Sequence, residues 1–491
     1  MTPLQALWAQ AGPAIAAGLI VSAGLCAAIG HRKTASWLAV ISFLAAGFLF
    51  AVSLASTGAA LPIRVSIAGW GAPPGLEAWI DPFSALICSL ILYVCAPCLM
   101  ICLARTNAGA ANASSSGIIG ALTICSGAMF AALLGDMISL WLALTLASFG
   151  AVALAADRPQ ASTAAFRLLM VSGAGGVLHA VGVVLVIATA ETAALLGPAG
   201  QIGRSGNDAL LAVGTTCVFV GVIAQAGLFP FHAVIAQAVR GAPRGSDQTL
   251  VMVLGVAAIA VLARWTQALA GDEPSRLSVA GLSVLSAWGG VGALASAAAA
   301  VRGSDARTIM RHAFASAAMT AVMMLATGGR VADAALLWLA GAVTGAAAAA
   351  VALDASGYDD TVPLVRLDGF AARAPIMAAA FGIGFAGLAA LPLTPSFVAA
   401  FEGMSALFAA LQPVKGCVIA AVIVLLATAG LRMGERMVSR TETGHTMAAQ
   451  RGAMHVTAAI FALVLIVGAW TLRPLNDLAL LANESILEPS R

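Results

Sequence analysis

The stretch QAGLFPFHAVIAQAVRGAP, residues 225–243, interrupts a long apolar run with a proline and a histidine. Proline deletes a backbone hydrogen bond and kinks a helix, and an ionisable side chain is costly in lipid. Such a break persists in a membrane only where protein or water satisfies the exposed backbone carbonyls. The stretch therefore predicts a discontinuous membrane helix, broken at Pro230, with an imidazole (His232) beside the break.

The composition agrees with a membrane location. The chain has 491 residues, of which 61% are hydrophobic and only 9% are charged, whereas soluble proteins carry roughly 25% charged residues. Apolar runs long enough to cross a bilayer recur from end to end, which predicts an all-α polytopic membrane protein. A net charge of +3 with no basic face or aromatic platform gives no support to nucleic-acid binding.

About 14 transmembrane helices are expected, and two of the spans exceed the roughly twenty residues that a bilayer requires. Both long spans contain proline: the seventh is broken at Pro230, and the twelfth at Pro392 and Pro395. The expected spans are 12–30, 35–56, 82–104, 117–134, 137–156, 165–190, 209–239, 247–269, 277–300, 309–327, 332–353, 374–411, 415–432 and 452–472.

The two breaks are five spans apart, which predicts two five-helix units with a broken helix fourth in each. An odd number of spans per unit inverts the second unit, an arrangement typical of secondary transporters and ion-translocating subunits. The expected division is a three-helix segment at 1–116, a first repeat at 117–269 (spans 4–8), a second repeat at 277–432 (spans 9–13), and a last helix with a short tail at 433–491.

The arginines and lysines of the loops predict the orientation. Sixteen follow odd-numbered spans and eight follow even-numbered spans or lie in the tail. By the positive-inside rule the odd loops face the cytoplasm, so both termini lie on the periplasmic or outer side of a bacterial inner membrane. The first span has no basic segment before it, so no cleavable signal peptide is expected.

Five stretches, in matching order, resemble one known family. They are GWGAPPGLEAWIDPFSALI (69–87), LLGDMISLWLALTLASF (133–149), residues 225–243, DARTIMRHAFASAAM (305–319) and VRLDGFAARAPIMAAAFGIGFAGLAALPLTPSF (365–397). They resemble the antiporter-like subunits of respiratory complex I (NADH-quinone oxidoreductase) and of Mrp cation/proton antiporters, above all the D-type Mrp subunit and the complex I M and N subunits. The resemblance implies other membrane subunits as partners and H⁺ or Na⁺ as the transported ion.

The resemblance also implies a row of buried ionisable groups that move protons. The family places a glutamate in span five, a lysine in span seven, a lysine or histidine in span eight, and a lysine or glutamate in span twelve. Here these positions fall on Thr145, Gln225, Val256 and Ala400. The only two lysines, Lys33 and Lys415, are expected in loops. The sequence therefore predicts a degenerate proton path and a structural role.

Two histidines are candidates for a remaining proton path. His232 follows the first break, where it is either a proton relay or a neutral imidazole that hydrogen-bonds a freed carbonyl. His179 lies mid-span among glycines, which favours a hydrogen-bonded core histidine over a relay. With Thr145 and Gln225 they could also form a polar pocket for a transported substrate.

Other polar residues have two interpretations each. Glu402 lies two residues beyond the vacated span-twelve position, as a displaced proton carrier or part of a polar interface. His312 belongs to a group with Asp305, Arg307 and Arg311 at the start of span ten, which is either a path element or interfacial charge. Asp136 precedes span five and is expected to stabilise a helix N-terminus. The acidic loop GYDDTVPLVRLDG, 357–369, is expected to contact a cytoplasmic partner.

No sequence pattern indicates a catalytic centre or cofactor. Cys95, Cys98 and Cys102 form a C-x-x-C-x-x-x-C pattern, but no histidine or carboxylate is near enough to complete a metal site, so packing is the favoured interpretation. Walker, Rossmann, zinc, haem and iron–sulfur patterns are not found. We therefore expect no catalytic residue, metal or redox cofactor in this chain.

Three functions remain open. The first is a structural, non-catalytic membrane subunit of a proton- or cation-translocating complex of the complex I, Mrp or membrane hydrogenase type. The second is an active translocating subunit that uses non-standard residues. The third is a stand-alone secondary transporter.

Overall fold

The computed structural model describes residues 3–29, 32–57, 63–66, 77–107, 115–156, 162–190, 192–195, 208–235, 246–270, 276–355 and 362–439. The helices are α1 (Pro3–Ile29), α2 (Arg32–Thr57), α3 (Pro82–Asn107), α4 (Ser115–Leu133), α5 (Met137–Ala155), α6 (Ser162–Ala190), α7 (Asp208–Gln225), α8 (Ser246–Ala270), α9 (Arg276–Arg302), α10 (Ala306–Thr327), α11 (Gly329–Ala355), α12 (Phe370–Arg373), α13 (Pro375–Leu388), α14 (Pro395–Ala409) and α15 (Pro413–Val438).

The long helices make this a multi-pass membrane protein. Seven helices of the described ranges are long and apolar enough to cross a membrane, and shorter apolar helices accompany them. The helices overlap the expected spans from the first to the thirteenth. The expected fourteenth span, 452–472, lies outside the described residues, and the inverted-repeat division stays a prediction.

A small β-sheet corrects the all-α expectation. Strands β1 (Ile63–Ser66) and β2 (Glu77–Ile80) pair antiparallel, with Ile63 opposite Ile80 and Ser66 opposite Glu77. Ile63, Val65 and Ile80 are β-branched residues, which suit an extended pleated backbone. The sheet lies directly before α3, and Ala78 also bridges to Leu134 after α4.

The first break begins earlier than the proline that predicted it. Helix α7 ends at Gln225, Gly227 follows with φ +56°, and the Phe229–Pro230 peptide bond is cis. Turn hydrogen bonds such as Phe231 N–H to Leu228 O (2.7 Å) cross the gap before the chain turns helical again at His232. The indole of Trp288 on α9 donates to the Phe229 carbonyl at 3.2 Å. Protein groups therefore supply hydrogen bonds at this break.

The second break lies at residues 389–394, between α13 and α14. Pro395 does not interrupt a helix, because it occupies the first turn of α14, where its missing N–H has no helical partner to lose. Thr394 caps α14 by accepting the Phe397 N–H at 3.3 Å. The hydroxyls of Thr394 and Ser396 donate to the carbonyls of Leu391 and Gly387. Pro392 therefore lies within the gap between the two helices, and Pro395 is the first residue of the helix that follows it.

Two buried ion pairs hold helices together. Arg264 on α8 bonds both carboxylate oxygens of Asp81, at 2.6 and 2.8 Å, with both side chains 1% exposed. Arg307 on α10 pairs with Asp354 on α11 at 2.9 Å. Both arginines belong to the basic residues from which the orientation is predicted, yet both are buried, and each is paired with an acidic residue on another element.

The burial of these arginines does not alter the excess of basic residues on the side of the odd-numbered loops. Arg311 is also buried, and leaving out Arg264, Arg307 and Arg311 gives fourteen basic residues against seven instead of sixteen against eight. The two-to-one excess that predicts the orientation is unchanged. Lys33 and Lys415 lie in the first turns of α2 and α15 rather than in loops.

The acidic loop folds onto its own chain over its described part, residues 362–369. The Val362 N–H donates to the Asp305 carboxylate, and Leu364 N–H donates to Ser304 O at 3.1 Å. Asp368 lies 3.6 Å from Arg436 near the end of α15. Residues 357–361 are outside the described ranges, so contact of this loop with a partner stays a prediction.

Candidate functional site

Close packing of α6 on α7 positions the polar groups at the end of α7. A Cβ added at Gly221 would lie 2.5 Å from the backbone nitrogen of His179, and one at Gly175 would lie 2.9 Å from that of Gln225. Such distances exclude any side chain larger than hydrogen. The two helices therefore approach backbone to backbone, which brings His179 level with Gln225.

Three polar side chains form a hydrogen-bonded chain across α5, α6 and α7. The Gln225 amide nitrogen donates to the Thr145 hydroxyl at 3.0 Å. The Gln225 amide oxygen lies 3.0 Å from His179 Nδ1. His179 and Gln225 are both 0% exposed. The structure thus brings together Thr145 and Gln225, the two positions at which the resemblance implies a glutamate–lysine pair.

The directions of these hydrogen bonds are set by the neighbouring backbone. The Thr145 hydroxyl donates its one proton to the Trp141 carbonyl at 2.7 Å, so it accepts from Gln225. The Gln225 oxygen is then an acceptor, which requires the proton of His179 to be on Nδ1. His179 Nε2 is buried and has no partner in the described part of the chain. The arrangement is a neutral chain that contains no ion pair.

Trp141 lies beside the hydrogen-bonded chain of Thr145, Gln225 and His179 and helps to position it. Its indole donates to the Gly176 carbonyl of α6 at 2.8 Å. A Cβ at Gly176 would lie 3.2 Å from the Gln225 amide nitrogen. Glycine at this position therefore leaves the space that the glutamine amide needs to reach Thr145.

His232 belongs to a second cluster, separate from the first. Its ring lies 5.2 Å from that of His312 in a T-shaped contact, and 5.7 Å from that of Phe229. Both histidines line a cavity of about 40 Å³ together with Arg311. A water molecule needs only about 10–15 Å³ measured in this way. The break in α7 therefore opens onto a small space with room for water.

Among the described residues, His232 is not the group that hydrogen-bonds the Phe229 carbonyl at the break, and its two expected roles stay predictions. The Phe229 carbonyl is bonded by Trp288 instead. His232 Nδ1 is buried without a hydrogen-bond partner among the described residues. Thr145, Gln225 and His179 thus share a hydrogen-bonded chain, whereas His232 lines the cavity with His312, and the expected pocket of all four residues stays a prediction.

The charged group at the start of α10 is also divided. Asp305 caps α10 by accepting the Thr308 N–H at 2.9 Å, and Arg307 pairs with Asp354. Arg311 and His312 line the cavity instead. At α5 the expected cap is present, since Asp136 accepts the Ser139 N–H at 2.8 Å.

The remaining carrier positions are apolar. Val256 is 1% exposed and Ala400 is 0% exposed. Glu402, two residues further along α14, is exposed and lies on a different face.

Asp333 is a polar residue that the sequence interpretation missed. Its Oδ1 is buried and has no hydrogen-bond partner in the described part of the chain. The sequence signal that could have identified Asp333 is an acidic residue near the start of an apolar span. Among the described residues, no group of three or more His, Cys, Asp and Glu side chains could hold a metal ion.

The family of the chain follows from a match over most of its helices. The family model described as NADH:quinone oxidoreductase/Mrp antiporter, TM matches residues 135–428. The chain belongs to this family. The matched range begins just before α5 and ends within α15, so it contains the neutral chain, the His232–His312 cavity and both helix breaks.

Relatives by sequence are subunits N of NADH-quinone oxidoreductases. This antiporter-family chain is 27% identical over 276 residues to subunit N 2 of Solidesulfovibrio magneticus, covering 55% of this chain and 58% of that protein. It is 27% identical over 247 residues to subunit N of Rhodococcus opacus, covering 48% and 44%. The chain thus spans about half the length of the curated relatives it matches.

Solved structures show that the fold extends over almost the whole chain. A chain of the archaeal membrane-bound sulfane sulfur reductase superposes with a TM-score of 0.85 at 18% identity and covers 98% of both chains. A chain of the Mrp complex from Dietzia sp. gives 0.84 at 17%, covering 100% and 98%. A chain of respiratory complex I from Thermus thermophilus gives 0.72 at 18%, covering 96% and 99%. All three are chains of multisubunit membrane complexes, and the chain has the antiporter-like fold.

Proposed function

We propose that this chain is a structural membrane subunit of a proton- or cation-translocating complex of the NADH-quinone oxidoreductase, Mrp or membrane hydrogenase type. Its partners are other membrane subunits, and its central path does not carry protons. We place it in a bacterial inner membrane with both termini on the outer side. The chain itself then performs no catalytic step.

The Thr145–Gln225–His179 chain carries this proposal. Transport by a buried carboxylate and ammonium depends on their electrostatic coupling, because separating the pair changes both proton affinities. A hydroxyl and an amide do not titrate, so the Thr145–Gln225 contact cannot store or release a proton. Val256 and Ala400 leave no ionisable group at the other two positions.

The energetics favour this exchange in a subunit that has lost transport. A charged side chain near the centre of a bilayer costs about 2.5–3.5 kcal/mol on insertion scales. The neutral side chains avoid that cost, while the 3.0 Å hydrogen bonds retain the contact between α5, α6 and α7. The contact between these three helices is therefore preserved without a buried glutamate–lysine pair.

The test is translocation by the intact complex in inverted membrane vesicles. We expect Thr145→Val and Gln225→Leu to leave the translocation rate per assembled complex unchanged, while deletion of the chain lowers the abundance of its partner subunits. A large loss of rate in either variant at normal assembly would refute the structural role. Recovery of the chain as a lone monomer that transports ions in liposomes would favour a stand-alone transporter.

A second candidate is an active subunit that uses non-standard residues. The observation that favours it is the His232–His312 cavity, which combines two imidazoles with room for water. In that case His232→Asn or His312→Asn would abolish translocation of H⁺ or Na⁺ while the complex still assembled. The neutral-path proposal expects both variants to translocate normally.

A further inference from the structure

A buried contact between two thiols joins α3 to α4. The Cys125 thiol lies 3.1 Å from the Cys95 sulfur, although the residues are 30 positions apart. Both side chains are 0% exposed, and neither cysteine is in a disulfide. The C-x-x-C-x-x-x-C pattern groups Cys95 with Cys98 and Cys102 on one helix, whereas the structure places Cys95 against a cysteine of the next helix.

Neighbouring contacts fix α4 in place. Ser126, adjacent to Cys125, donates to the Ala16 carbonyl of α1 at 2.6 Å. Gly127 packs so closely on α5 that an added Cβ would lie 2.6 Å from the Ala147 nitrogen. The position of the Cys125 sulfur is therefore set by packing on two sides.

The start of α3 is fixed as well. Asp81, directly before Pro82, holds the buried ion pair with Arg264 and accepts the Ser84 N–H at 2.8 Å. Cys95 lies at the middle of α3, and Cys125 lies near the middle of α4. The two sulfurs thus face each other deep in the bundle rather than at a flexible end.

Among the cysteines whose side chains the structure describes, only this pair forms a thiol–thiol contact. Cys88 lies two helical turns from Cys95 on α3, but its sulfur is directed to the Met129 carbonyl of α4, at 4.0 Å. Cys26 donates to the Ala35 carbonyl at 3.3 Å, between α1 and α2. Cys217 and Cys417 lie on α7 and α15.

We propose that Cys95 and Cys125 form a disulfide on oxidation, which links α3 covalently to α4. Each thiol loses its proton, the sulfurs form one S–S bond, and two electrons pass to a lipid-soluble two-electron oxidant. With molecular iodine, two thiols and I₂ give the disulfide and two HI. A disulfide bond is about 2.05 Å long, so the sulfurs must approach by about 1 Å.

The proposal is independent of the proposed function. Both cysteines precede residues 135–428, the range matched by the family model. Whether the path in α5 to α14 carries protons does not affect the thiol contact between α3 and α4. Failure of one idea would leave the other standing.

The experiment uses the full chain in its membranes. Membranes are treated with iodine, quenched, denatured and blocked with maleimide, and the peptides are then analysed by mass spectrometry without reduction. We expect a peptide linked through Cys95 and Cys125 that separates on reduction. Absence of this peptide at an iodine concentration that oxidises the exposed Cys417 would overturn the proposal.

Two variants provide a matched comparison. One keeps only Cys95 and Cys125, and the other keeps only Cys88 and Cys125, with the remaining cysteines replaced by alanine. We expect loss of both maleimide-reactive thiols after iodine treatment in the first variant and of neither in the second. Equal cross-linking in both would show that general helix motion, and not the observed contact, brings sulfurs together. The wild-type peptide analysis decides the question if a variant does not fold.

Discussion

Gln225 ends α7 and donates its side-chain amide to the hydroxyl of Thr145 on α5, at 3.0 Å. This direct contact makes the two positions suitable for a double-mutant cycle. We expect Thr145→Glu and Gln225→Lys each to destabilise the protein by about 2.5–3.5 kcal/mol, since each introduces an unpaired charge into the bundle. Together they form an ion pair, and we expect the double variant to recover most of that loss.

Thermal denaturation in detergent and the steady-state amount in membranes measure this effect. The control pairs Gln225→Lys with Thr344→Glu, because Thr344 also lies mid-helix but on α11, where its hydroxyl donates to carbonyls of its own helix. Strictly additive effects in the Thr145–Gln225 cycle would show that the contact does not couple the two positions.

The Asp81–Arg264 ion pair is expected to be the most sensitive polar contact among those described here. Asp81→Asn retains a side chain that can cap α3 but leaves the Arg264 guanidinium buried without a counter-charge. Breaking a buried pair costs about 3–5 kcal/mol, whereas removing both charges is often neutral. We therefore expect Asp81→Asn to lower the melting temperature strongly and Asp81→Asn with Arg264→Met to restore it.

The control for this prediction is the pair Arg436–Asp368. Its atoms are 3.6 Å apart and the arginine is 50% exposed, and such pairs contribute about 0–1 kcal/mol. Arg436→Met should therefore have little effect on the melting temperature. If Arg436→Met and Asp81→Asn lowered the melting temperature equally, burial would not determine how much an ion pair contributes to stability.

The local parts of this fold could be predicted from sequence, and the long-range pairings could not. Pro230 and Pro392 indicated both breaks because proline acts on its own backbone. The partner of Arg264 is 183 residues away, and Cys95 and Cys125 lie on different helices, so no spacing rule connects them. Thr145, Gln225 and His179 were each named from sequence, but only the structure separates them from His232.

The indole of Trp288 is expected to stabilise the first helix break. Trp288→Phe removes the donor to the Phe229 carbonyl, which lies outside regular helix, and a lost hydrogen bond of this kind costs about 0.5–1.5 kcal/mol. Trp141→Phe is the matched control, because the Gly176 carbonyl that it bonds lies within the continuous helix α6. A larger loss of thermal stability in Trp141→Phe than in Trp288→Phe would contradict this assignment.

The orientation can be tested by labelling single cysteines in intact cells. A cysteine at Arg491 should react with a membrane-impermeant maleimide, whereas one at Asp359, in the acidic loop, should react only after the cells are opened. This follows from the excess of basic residues on the side of the odd-numbered loops. The opposite labelling pattern would overturn the orientation, whereas labelling of both positions from the same side would overturn the expected fourteenth span.

Glu402 is the sharpest test of the neutral path, because it is an acidic side chain two residues from the buried Ala400 on α14. Glu402→Gln preserves size and hydrogen bonding and removes the titratable group. If the path is silent, translocation per assembled complex should change less than about twofold, equivalent to roughly 0.4 kcal/mol in the barrier.

Glu435→Gln, the same change on an exposed position of α15, is the control. Asp333 on α11 also has a buried carboxylate oxygen without a partner among the described residues, and Asp333→Asn should be equally tolerated. A several-fold loss in Glu402→Gln, at normal assembly and with Glu435→Gln unaffected, would mean that α14 carries a working proton acceptor and that the subunit still pumps.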